Sequence, residues 1–181
     1  MPAYHSSMND EPDARQVGNV SILPIKTRIR GPAPVTTDPS ASDIIDESLD
    51  LFRANSLFRN FEIKGPADRL LIILILFTSD CLVKIGTART PPSQLEAGKI
   101  LNTFAVDSIP IPGDGTFQLN AHYAPPSSRA DGDYLRQYLT QARQELAARL
   151  VERLYADGTG KPSKWWMSFQ KRRFMNRSLG A

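Results

Sequence analysis

The chain is poor in the residues from which reactive centres are built. Cys81 is its one cysteine among 181 residues, so no disulfide can form within it and a thiolate zinc site lacks its ligands. A single thiol inside an apolar segment suits a reducing compartment. Histidine is nearly as scarce, with His5 and His122 only, and neither stands at metal-ligand spacing. No serine occupies a G-x-S-x-G elbow. The longest apolar run, Leu70 to Phe77, falls well short of the roughly 20 residues a bilayer span requires. The opening MPAYHSSMNDEPD has no apolar signal region. The expectation is a soluble, intracellular protein with no enzymatic activity, no cofactor and no metal.

One stretch imitates a phosphate loop. Gly158-Thr159-Gly160-Lys161-Pro162-Ser163 ends as such loops end, but Tyr155 stands where the first glycine belongs and Pro162 where the metal-binding hydroxyl belongs. The loop reading fails at both positions. Gly113-Asp114-Gly115 is a tight turn without the carboxylate ladder of a calcium loop.

Charge of one sign is also lacking overall. Lys and Arg number 22 against 19 Asp and Glu, and the small excess collects at one end. From Lys161 to Leu179 the sequence reads KPSKWWMSFQKRRFMNRSL, with no acidic residue. Both tryptophans, Trp165 and Trp166, lie there beside Phe169 and Phe174. Aromatic anchors set among cations are typical of contact surfaces. The candidate partner-binding residues are Lys161, Lys164, Trp165, Trp166, Lys171, Arg172, Arg173 and Phe174. For the two tryptophans, partial packing on the core is expected. For Lys171, Arg172 and Arg173, an acidic protein partner is favoured over plain solvation, because three adjacent cations repel one another.

Residues 1–39 read as an extended arm, punctuated by Pro2, Pro12, Pro24, Pro32, Pro34 and Pro39. Met1 to Val17 is expected to be disordered, the alternative being an ordered arm wrapped on a partner. Val20 to Ile25 could lie on the body as an irregular strand. Residues 40–181 read as a helical domain, the whole forming a single domain. The first helix is expected over Ser42–Asn55 with Ser42 as cap. Its apolar side is Ile44, Ile45, Leu49 and Phe52, and its acidic side Asp43, Asp46 and Asp50. The second should start at Pro66 and run to about Ile85. Leu70 to Phe77 leave it no polar face, so other helices must surround it; a buried strand is the rival reading. A third helix is expected over Ser93–Phe104, where Ser93 and Glu96 have capping-box spacing. Val106 to Ala130 is a long irregular stretch, pinned by its apolar members. A fourth helix spans about Asp131–Tyr155, with Glu145 and Arg149 paired one turn apart. A short fifth begins near Pro162. The fold class is all-α, with about five helices, one of them central and buried, plus the arm.

Two functional readings fit these residues. One is a small nucleic-acid-binding module that uses the basic, Trp-rich tail for phosphate contacts and base stacking. Against it, recognised nucleic-acid-binding signatures are missing and the overall charge is balanced. The other is a non-catalytic interaction piece.

Blocks along nearly the whole chain favour the second. They are MPAYHSS at Met1–Ser7, GPAP at Gly31–Pro34, DIIDESLDLFRANSLFRNFEIK at Asp43–Lys64 and ADR at Ala67–Arg69. IPIPG at Ile109–Gly113, LNAHYA at Leu119–Ala124, KPSKWW at Lys161–Trp166 and KRRFMN at Lys171–Asn176 follow in order. In these the sequence resembles the subunit 3 family of the actin-related protein 2/3 complex, which nucleates branched actin filaments. The resemblance implies a mostly helical domain around one central helix, with no catalytic activity and no cofactor. It implies a hetero-oligomer in the cytoplasm and actin cytoskeleton, at actin patches or cortical actin. The implied partners are actin-related protein 3, other subunits of that complex and the actin filament, with no nucleic acid and no membrane span.

Overall fold

A computed structural model describes residues 4–11 and 13–179. Two short strands come first, β1 (Arg15–Val17) and β2 (Val20–Ile22). Five α-helices follow: α1 (Ile44–Ser56), α2 (Pro66–Gly86), α3 (Gln94–Ala105), α4 (Arg129–Leu154) and α5 (Lys164–Met167). The structure is mostly helical, but the strands correct the all-α expectation. They pair antiparallel, with Val17 opposite Val20. Gly18 turns the chain between them at φ +60°, a backbone region glycine enters without steric cost. A side chain there would also collide with the Ala124 carbonyl. The β-branched Val17, Val20 and Ile22 are all buried, so the hairpin adds to the core.

The amino-terminal arm is the second correction. Expected to be disordered, its described residues are fastened to the protein's own body. Asn55, buried on α1, brackets the Tyr4 backbone: its Oδ1 accepts from Tyr4 N at 3.0 Å and its Nδ2 donates to Tyr4 O at 2.9 Å. Asp68, 0% exposed on α2, accepts from Ser6 N at 2.7 Å and lies 2.7 Å from His5 Nδ1. Asn9 Oδ1 accepts the Asp68 amide at 2.9 Å. It thereby answers one of the open donors at the start of α2, where Gly65 has no side chain to cap with. Met1 to Ala3 and Pro12, part of that expected arm, lie outside the described residues.

The helices start where side chains satisfy their first amides. On α1 the cap is Asp43, one residue after the expected Ser42. Its carboxylate accepts from Asp46 N at 2.9 Å, and the Asp46 carboxylate accepts from Asp43 N in return. Asp43 also accepts from Lys26 N and Arg149, links that sequence spacing does not reveal. Ser93 and Glu96 form the expected capping box on α3. On α4 the cap is Ser128, accepting from Asp131 N at 3.1 Å, so the helix begins two residues before the expected Asp131.

Helix α2 touches α1, α3, α4, α5 and β2. Its residues Leu70 to Phe77 are all buried, each contributing roughly 1.5–3 kcal/mol relative to exposure. One apolar cluster runs from Val17 to Leu179. The long connection after α3 belongs to it through Ile109, Ile111, Phe117, Leu119 and Tyr123, all buried. Tyr123 Oη donates to the Arg69 carbonyl at 2.6 Å. Tyr138 Oη bridges both backbone groups of Leu23, at 3.0 Å and 2.8 Å, and ties α4 to the segment after β2. No helix among the described residues is long and apolar enough to cross a membrane.

Candidate docking surface

The surface is built where the carboxy-terminal segment crosses α1. Ser163 N donates to the Leu154 carbonyl at 2.8 Å, turning the chain back at the end of α4. Only one turn of helix, α5, follows before a series of turns. So short a helix cannot hold itself in water; its side chains anchor it. Trp166 is 6% exposed and stacks on Phe52 of α1, centroids 5.9 Å apart and planes 20° apart. Phe169 meets the same Phe52 edge-on at 6.4 Å. Aromatic pairs in such geometries contribute beyond their buried area.

The neighbouring tryptophan faces outward. Trp165 is 54% exposed and stands edge-on to Trp166 at 5.2 Å. Sequence adjacency on a helix puts the two rings about 100° apart, which is why one enters the core and the other does not. Arg53 of α1 lays its guanidinium over the Trp165 ring, 3.6 Å from the centroid, and near Phe169 at 4.4 Å. Arg53 was not among the residues singled out from sequence. It lies on α1, far from the tail in sequence, and only the crossing of the two segments brings it there.

The candidate residues separate into two groups. Lys161, Lys164, Lys171, Arg172 and Arg173 are exposed, and among the described residues none of them forms an ion pair. Together with Trp165 they can meet another molecule. Trp166 and Phe174 cannot do so directly. Phe174 is 0% exposed and packs edge-on against Phe61 at 5.5 Å, so the expectation of a contact residue is corrected to a core residue. Burial of an aromatic ring outweighs its basic sequence neighbours.

The turn that carries the cations is held from both sides. Met175 N donates to the Phe58 carbonyl at 3.1 Å. Met175 and Asn176 adopt φ +56° and +53°, a left-handed conformation that costs non-glycine residues roughly 1–2 kcal/mol each. Beyond it, the Asp80 carboxylate of α2 accepts from Ser178 Oγ at 2.8 Å and Leu179 N at 3.2 Å. Lys171, Arg172 and Arg173 therefore project from a fixed loop, not a loose end.

Neither histidine joins a reactive cluster. His5 sits in the arm against Asp68 and Phe61, and the backbone carbonyl of His122 accepts from Arg69 Nε. Among the described residues, no three His, Cys, Asp or Glu side chains gather as a metal site would require. Burial, with the nearby Asp80 charge, pushes the Cys81 thiol well above its ordinary value, which keeps it in the unreactive protonated form.

Comparison with known proteins bears on the family of the chain. The sequence model of the family described as "P21-Arc: ARP2/3 complex ARPC3 (21 kDa) subunit" matches residues 1–179. The chain is 52% identical over 179 residues to an actin-related protein 2/3 complex subunit 3 of Schizosaccharomyces pombe, covering 99% of this chain and 100% of the relative. It is 50% identical to the subunit of that name from Saccharomyces cerevisiae, over 99% of this chain and 100% of the relative. With the Dictyostelium discoideum protein of the same name the figures are 49% identity, 97% of this chain and 99% of the relative. With a match this complete along both chains, the protein belongs to the P21-Arc family of 21 kDa ARP2/3 complex subunits.

Proposed function

We propose that this chain is a non-catalytic structural subunit of an actin-related protein 2/3 complex, the assembly that nucleates branched actin filaments. The observation that carries the reading is the nearly end-to-end match to relatives bearing that subunit's name, at about half identity. In this role the chain docks on actin-related protein 3 within a hetero-oligomer and helps hold the active arrangement and its contact with the mother filament. It works in the cytoplasm, at the actin cytoskeleton. Arm and helical body act as one structural unit.

The basic loop at Lys171–Arg173, with Lys161, Lys164 and Trp165, supplies a docking face for an acidic partner. Charge complementarity there sets orientation and encounter rate more than affinity. The fixed loop, and cations that form no ion pair among the described residues, support this assignment. Phe174 and Trp166 serve it indirectly, by holding the loop in place.

A tagged full-length chain expressed in its own cells tests the reading. Both actin-related subunits should co-purify with it, and the captured complex should accelerate branched actin assembly when activated. Recovery of the folded chain without either subunit would overturn the proposal. Salt-sensitive retention of RNA or DNA in their place would move the assignment to the nucleic-acid reading.

A further inference from the structure

Arg53 sits beneath the exposed part of this surface, and among the described residues no carboxylate answers it. Among the described residues it forms no ion pair, and its Nε is buried without a hydrogen-bond acceptor. Buried donors are nearly always satisfied; this one is sealed from solvent, so a partner can meet only the outer, Nη edge of the guanidinium, and the open Nε shows that the described residues supply no acceptor of their own. The nearest acidic residue along α1, Asp50, is engaged elsewhere: Arg153 Nη1 holds its carboxylate at 2.7 Å. The guanidinium lies instead against Trp165 and Phe169. Such stacking fixes the plane of the donor fork and strips part of its water, two conditions that favour pairing with a planar carboxylate. Arginine and tryptophan are also the residue types that most often dominate the energy of protein contacts.

We propose that Arg53, held against Trp165 and Phe169, is the seat for a carboxylate side chain of the protein partner that covers this surface. The inference deepens the docking role proposed above and rests on it. Exposed Lys164 precedes Trp165, and exposed Lys171 and Arg172 follow Phe169, so the surroundings select an acidic segment. A single planar seat on a nearly charge-balanced chain, with 22 Lys and Arg against 19 Asp and Glu, suits one carboxylate better than a run of phosphates.

The test uses the full chain and the remaining subunits of the complex, purified without it. Binding is measured by titration for wild type, Arg53→Gln and Arg53→Lys, with a thermal melt of each free chain. Wild type should bind. Arg53→Gln should bind about tenfold or more weakly, as loss of one member of a desolvated charge pair does. Arg53→Lys, which keeps the charge, should fall between them. All three should stay folded and melt within a few degrees of one another, the small shift expected from losing the stack on Trp165. Equal binding by wild type and Arg53→Gln overturns the inference and leaves the subunit role standing. Equal loss in both variants also overturns it, since stacking and not charge would then be at work, and so does a loss that tracks a larger fall in melting temperature. Failure of the wild-type chain to bind removes the subunit role, and the inference with it. Displacement of the bound chain by duplex DNA at moderate salt would assign Arg53 to phosphate and likewise overturn it.

Discussion

His5 Nδ1 lies 2.7 Å from the carboxylate of Asp68, a side chain wholly enclosed by the protein. The same carboxylate accepts from the amides of Ser6 and Lys64. One acidic group on α2 thus fastens the arm and orders the approach to its own helix.

Asp68→Ala should release that arm. Three donors lose their acceptor, that of Ser6 in a buried place and those of His5 and Lys64 in part-buried ones, and the expected cost is about 2–3 kcal/mol. Urea unfolding gives the stability, and limited proteolysis gives the location: new cleavage is expected before Gly18. An unchanged midpoint and an uncut arm would show that the clasp contributes nothing.

The two tryptophans should behave as opposites. Trp166→Ala empties a buried site against Phe52 and is expected to cost about 3–5 kcal/mol. Trp165→Ala removes a ring that is half in water, and its cost should stay near 1 kcal/mol, mostly from the lost stack with Arg53. Chemical denaturation of the two variants side by side checks the contrast.

Acid sensitivity should centre on Asp43. Burial alone would raise its carboxyl, but the Arg149 guanidinium and the amides of Asp46 and Lys26 overcome that and hold it below its ordinary value of 3.8. A carboxyl depressed in the folded state lends stability that is complete above the unfolded value and lost as pH falls through the folded one. The urea midpoint of the wild type should therefore drop more steeply below about pH 4 than that of Asp43→Asn, which starts lower and stays flatter. Removing the other half, by Arg149→Met, strands a buried acid and is expected to cost about 3–5 kcal/mol at neutral pH.

Reversing Lys171, Arg172 and Arg173 to glutamate should leave helix content and melting near those of the wild type, because none of the three forms an ion pair among the described residues. Incorporation into the complex should fall. Circular dichroism and co-purification measured on one preparation separate the two effects. A collapse of helicity would assign the three residues to the fold.

The sequence made the helices legible for local reasons. Leu70 to Phe77 leave no polar face, Pro66 marks a start, and Ser93 with Glu96 spells a capping box, all within a few residues. The boundaries that shifted, at Asp43 and Ser128, were set by whichever nearby side chain reached the first amides. What stayed hidden was long-range. The arm looked unstructured because its partners, Asn55 and Asp68, sit on helices far along the chain. The strand Arg15–Val17 was lost with it, since a three-residue strand has no pattern of its own. In the candidate docking surface, the cations and tryptophans are readable as a cluster. Nothing local could tell that Phe174 points inward, or that Arg53 of α1 would lie against Trp165.

The crossing of α1 by the last segment also has a consequence for biosynthesis. Phe52 and Phe61 leave the ribosome before the rings that cover them, Trp166 and Phe174, which lie more than 110 residues further along. Until then a nascent chain carries uncovered aromatic surface, the condition that invites aggregation and chaperone capture. A chain cut short after Gly160 would keep that aromatic surface uncovered.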